Sequence, residues 1–193
     1  MSNRFVLEDT PVSGLSIIRR TVHRDARGSF ERIFCEEDLR TLLGTRGVSQ
    51  VNISSTQEVG AVRGMHFQSP PFAETKLITC MKGEIFDVAV DLRRGSSTFL
   101  RWFGIRLSES IPSSLLIPEG FAHGFQVLQP NSQILYMHSA PYAADAQGAI
   151  NAVDPKLDIH GPLPITLRSE RDESLPLLDD SFTGVACTRG GDR

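Results

Sequence analysis

The sequence has few cysteines and no long apolar run. Its three cysteines are an odd number without a CxxC pair, which argues against a disulfide framework and against a zinc knuckle. No segment is long enough to span a bilayer, and the first twenty residues lack the continuous apolar region of a signal peptide. We therefore expect an unexported, cytoplasmic protein with reduced thiols.

An excess of charge of one sign is also absent. The chain carries 20 lysines and arginines against 23 aspartates and glutamates, so its formal net charge is −3, with both signs interspersed. No basic face suited to a phosphate backbone is visible, and we expect neither nucleic acid nor a membrane as partner. A few local arginines can still bind an anionic small molecule through bidentate hydrogen bonds.

What the sequence does contain is a series of short strand-like runs separated by Gly, Pro, Ser or Asn, as in a β-sandwich or barrel. The predicted strands are residues 5–7, 15–19, 48–54, 61–68, 76–81, 84–92, 98–107, 114–117, 122–128 and 133–139. In EIFDVAVDL, residues 84–92, the apolar residues share one face while Asp87 and Asp91 make the other polar, which predicts a half-buried strand. Only EEDLRTLL, residues 36–43, has helical character, with an acidic first turn and Gly44 at its end.

These runs predict an all-β protein. PEGFAHGF, residues 118–125, is a tight turn that leads into a strand and points His123 into a barrel, and it is similar to the second half of the cupin signature. We expect one domain over residues 1–193, a cupin-type jelly-roll β-barrel with its core at about 14–165. A short helix lies near the N-terminus, and an irregular C-terminal tail, 166–193, frays near its end.

A metal site is not expected. Metal-binding cupins have an HxH pair and a carboxylate in the first half of their signature, whereas this chain has HFQ at 66–68 and Glu74 several residues later. Two histidines and a glutamine make a poor site for a divalent cation. Each histidine can instead be a neutral imidazole that is hydrogen-bonded within a core. His23 and His160 are predicted to lie in loops.

Several polar residues on different predicted strands nevertheless converge. Gln50 and Asn52 are two apart and face the same way, as do Tyr136 and His138, where His138 either tunes the phenol or is structural. A β core that turns polar side chains inward is more often a ligand cavity than a packing arrangement. Strict alternation puts Arg63 on the strand face opposite His66, unless Gly64 between them forms a bulge. Without a bulge, Arg63 either reaches the cavity around its edge or forms a surface salt bridge.

The order of the motifs resembles one known family. Over residues 23–172 the chain is similar to the dTDP-4-dehydrorhamnose 3,5-epimerases, which are cupin-fold nucleotide-sugar enzymes. The similarity rests on DARGSF (25–30), SQVNIS (49–54), VRGMHFQSPP (62–71), KLITCMKGEIFDVAVDLRRGSSTF (76–99), LLIPEGFAHGF (115–125), ILYMHSAPY (134–142) and VDPKLDI (153–159).

The resemblance implies a role for each catalytic residue. His66 corresponds to the base that removes a proton from carbon next to the 4-keto group of the sugar, and Lys76 to the group that stabilises the enolate oxygen. Tyr136 corresponds to the acid that returns a proton from the opposite face. Asp172, in SERD, corresponds to the aspartate that orients the histidine, its alternative being an ordinary solvated acid.

The resemblance also implies a binding set and an assembly. The residues at family positions around the nucleotide, diphosphate and sugar are Arg27, Phe30, Gln50, Asn52, Arg63, His123 and Tyr142. Arginines suit a diphosphate, and the aromatic rings suit a thymine face. Family members are commonly homodimers in which one subunit contributes to the other's site, so Arg27 and Gln50 are expected to act across the interface. No cofactor is implied.

Two positions depart from the family. Arg32 stands where a glutamate is usual, and His160-Gly161-Pro162 replaces a tryptophan-proline pair.

From the resemblance as a whole we expect an isomerase that inverts C3 and C5 of dTDP-4-keto-6-deoxy-D-glucose in deoxysugar biosynthesis. The alternatives are a 3-only or 5-only epimerase, a ketoisomerase on a related nucleotide sugar, a non-catalytic sugar-binding cupin and a metal-dependent oxygenase.

Overall fold

The computed structural model describes residues 4–43 and 47–187. The strands in these residues are β1 (Phe5–Asp9), β2 (Ser16–Arg20), β3 (Val22–Asp25), β4 (Gly28–Glu31), β5 (Gln50–Thr56), β6 (Val62–Gln68), β7 (Lys76–Lys82), β8 (Glu84–Asp91), β9 (Trp102–Ser108), β10 (Ser113–Ile117), β11 (Phe121–Val127), β12 (Ser132–His138) and β13 (Gln147–Ala149). The helices are α1 (Glu36–Leu43) and α2 (Glu170–Glu173), with a 3₁₀ turn at Ala144–Ala146. The predicted all-β architecture is confirmed.

The strands form two antiparallel sheets and a hairpin. One sheet has the order β1-β2-β10-β7-β12-β5, the other β13-β6-β11-β8-β9, and β3 pairs only with β4. Apolar side chains of both large sheets, among them Ile78, Leu115, Ile85 and Phe125, form one buried cluster. Each fully buried Leu or Ile contributes roughly 2 kcal/mol. This arrangement is a β-sandwich whose interior is shared by the two sheets.

The strand predicted at residues 84–92 is confirmed as β8, but the prediction that it is half-buried is wrong. Val88 and Val90 pack in a second buried cluster, together with Ile150 and other residues that follow β13. Asp87 and Asp91, on the other face of β8, are completely buried as well. Both faces of β8 are therefore covered, and its polar face looks into the sandwich, where the two carboxylates have side-chain partners.

The strand predicted at 98–107 begins only at Trp102. Before it the chain turns, because the buried carboxylate of Asp91 accepts hydrogen bonds from the hydroxyls of Ser96 and Thr98, each at 2.6 Å. Leu100 takes a left-handed conformation, φ 60°, which breaks an extended run. The hydrogen-bonding demand of one buried acid thus overrides the strand propensity of this segment.

Three short strands were not predicted. The β3–β4 hairpin is mostly polar and exposed, so it lacks the apolar alternation that signals a strand, and His23 lies in β3 rather than in a loop. The three residues of β13 pair with the edge of β6. The predicted irregular tail contains α2, whose first turn is capped by Ser169. The helix Glu36–Leu43 is confirmed, while Gly44 and the last residues of the tail lie outside the described residues.

No helix among the described residues is long and apolar enough to cross a membrane. The three cysteines, Cys35, Cys80 and Cys187, are all free thiols, as predicted. Burial raises the pKa of Cys80 to about 11, so its thiol stays protonated near neutral pH.

Candidate active site

A cavity of about 290 Å³ lies between the sheets and gathers polar side chains from β5, β6, β7, β11 and β12. Its lining residues are Gln50, Asn52, Ile53, Ser54, Arg63, His66, Phe67, Gln68, Glu74, Lys76, His123, Phe125, Tyr136, His138, Tyr142 and Gln147. Most of the residues singled out from the sequence therefore lie in one place. The convergence predicted from strand parity is confirmed.

His66 is paired with a carboxylate from the C-terminal tail. Its Nε2 lies 2.8 Å from Oδ1 of Asp172, whose side chain is only 5% exposed. The other oxygen of Asp172 accepts a hydrogen bond from the backbone N–H of Gly64 at 3.3 Å, and Oγ of Ser169 accepts one from the backbone N–H of Asp172. Asp172 is therefore a fixed, buried partner rather than the solvated acid that was the alternative.

The pairing decides which ring nitrogen of His66 can act as a base. Because an ionised carboxylate only accepts hydrogen bonds, Nε2 carries the proton and Nδ1 is the free nitrogen of the neutral ring. Burial lowers the pKa of His66, the charges of Lys76 and Arg171 lower it further, and Asp172 raises it, with a net lowering. The imidazole is thus neutral near pH 7 and able to accept a proton.

Tyr136 supplies a protonated phenol in the same cavity. Burial raises its pKa to about 12, and its hydroxyl lies 3.1 Å from Oγ of Ser54. Its ring packs edge-on against His123 and parallel to His138, each with centroids 6.0 Å apart. The phenol therefore keeps its proton at neutral pH and is held from two sides.

Lys76 places an ammonium group beside His66. Its side chain is 8% exposed, and Nζ donates to the backbone carbonyl of His66 at 3.2 Å. Nζ also lies 3.2 Å from Oε1 of Glu74, whose Oε2 is 2.9 Å from Nδ1 of His138. An ammonium has three N–H donors, so one is left for a ligand. We missed the part played by Glu74, although its position two residues before Lys76 puts both on the same face of an extended segment.

A second histidine–aspartate pair lies deeper in the cavity wall. Nε2 of His123 is 2.7 Å from Oδ1 of Asp87, and the two side chains are 5% and 0% exposed. Among the described residues Oδ2 of Asp87 has no hydrogen-bond partner. We missed Asp87 as a site residue because its strand looked half-exposed.

Arg63 reaches the cavity because β6 contains a bulge. His123 faces His66 across the β6–β11 pair and Phe125 faces Arg63, so two steps on β11 correspond to three on β6. Gly64 sits in this bulge with φ 121°, and a Cβ there would lie 2.5 Å from Cα of Gly124. The bulge predicted at Gly64 is confirmed, and only glycine fits there.

The cavity mouth is formed by amide side chains and Tyr142. Oε1 of Gln50 accepts a hydrogen bond from the backbone N–H of Tyr142 at 2.9 Å, and the Tyr142 hydroxyl donates to Gln147 at 3.0 Å. Tyr142 is 59% exposed, so one face of its ring is available to a ligand. Asn52 lies beside this group on the same strand as Gln50.

The structure does not bring Arg27 and Phe30 into this cavity. Both lie in or beside the β3–β4 hairpin and line a separate open hollow together with residues 23–25, 28 and 29. Phe30 is 68% exposed, and Arg27 forms an exposed ion pair with Asp25 at 2.6 Å. His160 lies in a loop, as predicted, and its Nε2 is 2.9 Å from Asp158.

The fold and the cavity together define a class of protein. Among the described residues no group of three or more His, Cys, Asp or Glu side chains could hold a metal ion. The cavity holds a neutral histidine paired with an aspartate, an ammonium and a protonated phenol. This set is chemically suited to the removal and return of a proton on a carbon acid, and the fold that carries it is a cupin-type β-sandwich.

Comparison with known proteins identifies the family. The model of the dTDP-4-dehydrorhamnose 3,5-epimerase family matches residues 9–180, and the chain belongs to this family of isomerases. A dTDP-4-dehydrorhamnose 3,5-epimerase of Sinorhizobium fredii is 39% identical over 168 residues, 86% of each chain. The predicted family and enzyme class are thereby confirmed.

Two solved structures are similar over almost the whole chain. A dTDP-6-deoxy-D-glucose 3,5-epimerase of Legionella pneumophila, in complex with dTDP-4-keto-L-rhamnose, is 35% identical with a TM-score of 0.87, covering 95% of this chain and 99% of its own. ChmJ, a 3'-monoepimerase of Streptomyces bikiniensis in complex with dTDP-quinovose, is 31% identical with a TM-score of 0.81, covering 87% and 85%. The predicted cupin fold is confirmed.

Proposed function

We propose that this chain is a cofactor-independent 3,5-epimerase of dTDP-4-keto-6-deoxy-D-glucose in deoxysugar biosynthesis. The observation that carries the proposal is the 2.8 Å pair of His66 and Asp172 in a cavity that also holds Lys76 and Tyr136. The complex of the Legionella relative with dTDP-4-keto-L-rhamnose supports the choice of substrate.

The first step is removal of a proton next to the ketone. Nδ1 of His66 accepts the proton, and the electrons of the broken C–H bond move onto the ketone oxygen to give an enolate. A carbon acid next to a ketone is much weaker than imidazolium, so the step needs stabilisation of the oxygen. The free N–H of Lys76 supplies it, and Asp172 stabilises the imidazolium that forms.

The second step returns a proton from the opposite face. Tyr136 donates its phenolic proton to the carbon, the enolate collapses to the ketone, and the configuration is inverted. His66 then loses its proton and Tyr136 regains one by exchange with solvent, which restores the enzyme. Repetition at the second carbon on the other side of the ketone gives the doubly inverted product.

Binding of the nucleotide is assigned to the side chains around the mouth. Arg63 suits the diphosphate, Tyr142 suits the base, and the amides of Gln50 and Asn52, with His123 deeper inside, suit polar groups of the substrate. Each of these residues lines the cavity of its own chain, including Gln50, for which the family resemblance implied a role across the subunit interface.

The proposal includes a homodimer. The edge strand β5 exposes Val51 and Ile53, at 54% and 62%, and the hairpin exposes Phe30. We propose that the interface covers these apolar side chains and that Arg27 and Phe30, which line a hollow separate from the cavity of their own chain, act at the partner's cavity. We further propose a cytoplasmic location, which the free thiols fit.

The test is proton NMR of dTDP-4-keto-6-deoxy-D-glucose in deuterated buffer, following the C3 and C5 signals separately. Loss of both signals with the wild type, and of neither with His66→Asn, is the expected result. The absence of exchange at both carbons with the wild type would refute the proposed substrate. Gel filtration with light scattering tests the dimer.

The second candidate is a mono-epimerase on a related sugar nucleotide. The similarity to ChmJ, a 3'-monoepimerase, favours this reading, and the same base and acid would serve it. Loss of only one of the two NMR signals, with inversion at that carbon alone, would establish it in place of the double epimerase.

A further inference from the structure

The cavity wall contains a buried carboxylate that the proposed reaction does not use. Glu74 lies two residues before β7, and its side chain is 8% exposed. Burial alone would raise its pKa, but His138 and Lys76 outweigh burial and lower it, so the carboxylate is charged. A buried charge is tolerated only with partners, and here each oxygen has a different one.

The first partner is the ammonium of Lys76. Oε1 of Glu74 lies 3.2 Å from Nζ, which also donates to the backbone carbonyl of His66. A lysine side chain has four flexible carbons and settles in one place only when its head group is anchored. With these two anchors the ammonium is fixed, and its third N–H is left for the ketone oxygen.

The second partner is the imidazole of His138. Its Nδ1 lies 2.9 Å from Oε2 of Glu74 and must carry the proton, because the carboxylate can only accept. Nε2 of His138 is then unprotonated and faces a donor, because it lies 3.5 Å from the amide nitrogen of Asn52. The ring so fixed lies parallel to Tyr136, with an interplanar angle of 9°.

We propose that Glu74 and His138 are positioning residues that couple the electrophile to the acid. One carboxylate fixes the ammonium of Lys76, and the same carboxylate, through the ring of His138, fixes the phenol of Tyr136. This inference rests on the proposed function, in which Lys76 must meet the enolate oxygen while Tyr136 meets the carbon beside it. Misplacement of a reacting group by about 1 Å can cost roughly 100-fold in rate.

Three substitutions separate this coupling from simple packing. Glu74→Gln keeps the shape but has one acceptor oxygen, so only one of Lys76 and His138 stays bonded. His138→Asn retains a donor near the position of Nδ1 and removes the ring, whereas His138→Phe retains a ring and removes the donor. The proposal requires both the hydrogen bond between Glu74 and residue 138 and the ring of His138 against Tyr136. Each variant should therefore lose about tenfold or more in kcat, with KM changed less than about threefold. Wild-type kcat for His138→Phe would reduce the residue to packing and overturn the proposal.

The fate of the enolate gives a readout specific to proton delivery. When Tyr136 is misplaced but His66 is intact, the enolate returns more often through His66, after exchange with solvent. In deuterated buffer the ratio of deuterium in recovered substrate to deuterium in epimerised product should therefore rise several-fold in both His138 variants. His160→Asn and Glu8→Gln alter exposed ionic pairs away from the cavity and serve as matched controls. An unchanged ratio in the His138 variants would overturn the proposal.

A measurement without substrate keeps the inference independent of the reaction. The chain has two tyrosines, so ¹³C-tyrosine labelling gives separate ring signals for Tyr136 and Tyr142. Glu74→Gln should shift the Tyr136 signal in the wild-type background and leave it unmoved in the His138→Asn background, because the effect travels through the ring of His138. A Tyr136 signal that is insensitive to Glu74→Gln would overturn the coupling. Absence of C3 and C5 exchange in the wild type would instead refute the proposed function, while this measurement still decides the coupling.

Discussion

The two histidine–aspartate pairs of the cavity have the same chemistry and nearly the same length but differ in access to solvent. The His66–Asp172 distance is 2.8 Å and the His123–Asp87 distance is 2.7 Å. The side chain of His66 is 33% exposed and that of His123 is 5% exposed. A proton can therefore move between His66 and a ligand or solvent, whereas His123 is enclosed and suited to hold its neighbours.

The two pairs also differ in how the fold assembles them. Asp87 lies on β8, which pairs directly with the strand of His123, so this pair forms with the sheet. Asp172 comes from α2 in the C-terminal tail and is fixed by Ser169 and by the backbone of Gly64. The solvent-accessible pair thus depends on a late segment of the chain, while the enclosed pair belongs to the core.

The largest effect that separates the pairs is on catalysis. We expect His66→Asn to lower exchange at C3 and C5 by about 10²- to 10⁴-fold, the usual contribution of a general base. His123→Asn should lower it only about tenfold, since His123 acts through the packing of Tyr136 and through binding. Solvent-exchange NMR with both variants measures the difference. Equal losses in two folded variants would show that access does not distinguish the pairs.

For stability we expect the opposite order, with His123→Asn destabilising the protein more than His66→Asn. His123→Asn leaves the carboxylate of Asp87 buried without a partner, and an unsatisfied buried polar group costs about 1–3 kcal/mol, more when it is charged. His66→Asn should cost less than His123→Asn, because the ring of His66 is partly exposed, so water can enter the space that the shorter side chain leaves beside Asp172, and Asp172 keeps the N–H of Gly64. Urea unfolding of the two variants measures both changes. A greater loss of stability in His66→Asn would contradict the assignment of His123–Asp87 to the core.

The same contrast explains how much of the fold the sequence could predict. Strands with apolar alternation were located to within a few residues, because burial of one face produces the pattern. The β3–β4 hairpin was missed since neither of its faces is buried against a core. Buried acids caused the opposite error, because alternating carboxylates such as Asp87 and Asp91 predict a solvent-exposed strand face, whereas both are buried in the structure.

For the site, parity located the cavity residues but not their partners. Strand alternation put Gln50 with Asn52 and Tyr136 with His138, and a glycine between Arg63 and His66 indicated the bulge. Pairing between distant segments has no such signal. The link of Asp172 to His66 spans 106 residues and entered only through a family resemblance, and the link of Glu74 to His138 was not predicted.

The smallest effect expected is a shift along the pH axis, and it tests the accessible pair alone. Burial, Lys76 and Arg171 lower the pKa of His66 and Asp172 raises it, so the net value lies below the ordinary 6.5. The base acts only when neutral, and kcat/KM should fall as the pH drops through this pKa. Asp172→Asn removes the raising contribution and should move this acidic limb to lower pH, whereas Arg171→Gln should move it to higher pH. Profiles of kcat/KM for the three proteins measure the shifts, and a move in the same direction for both variants would mean that the limb belongs to a group other than His66.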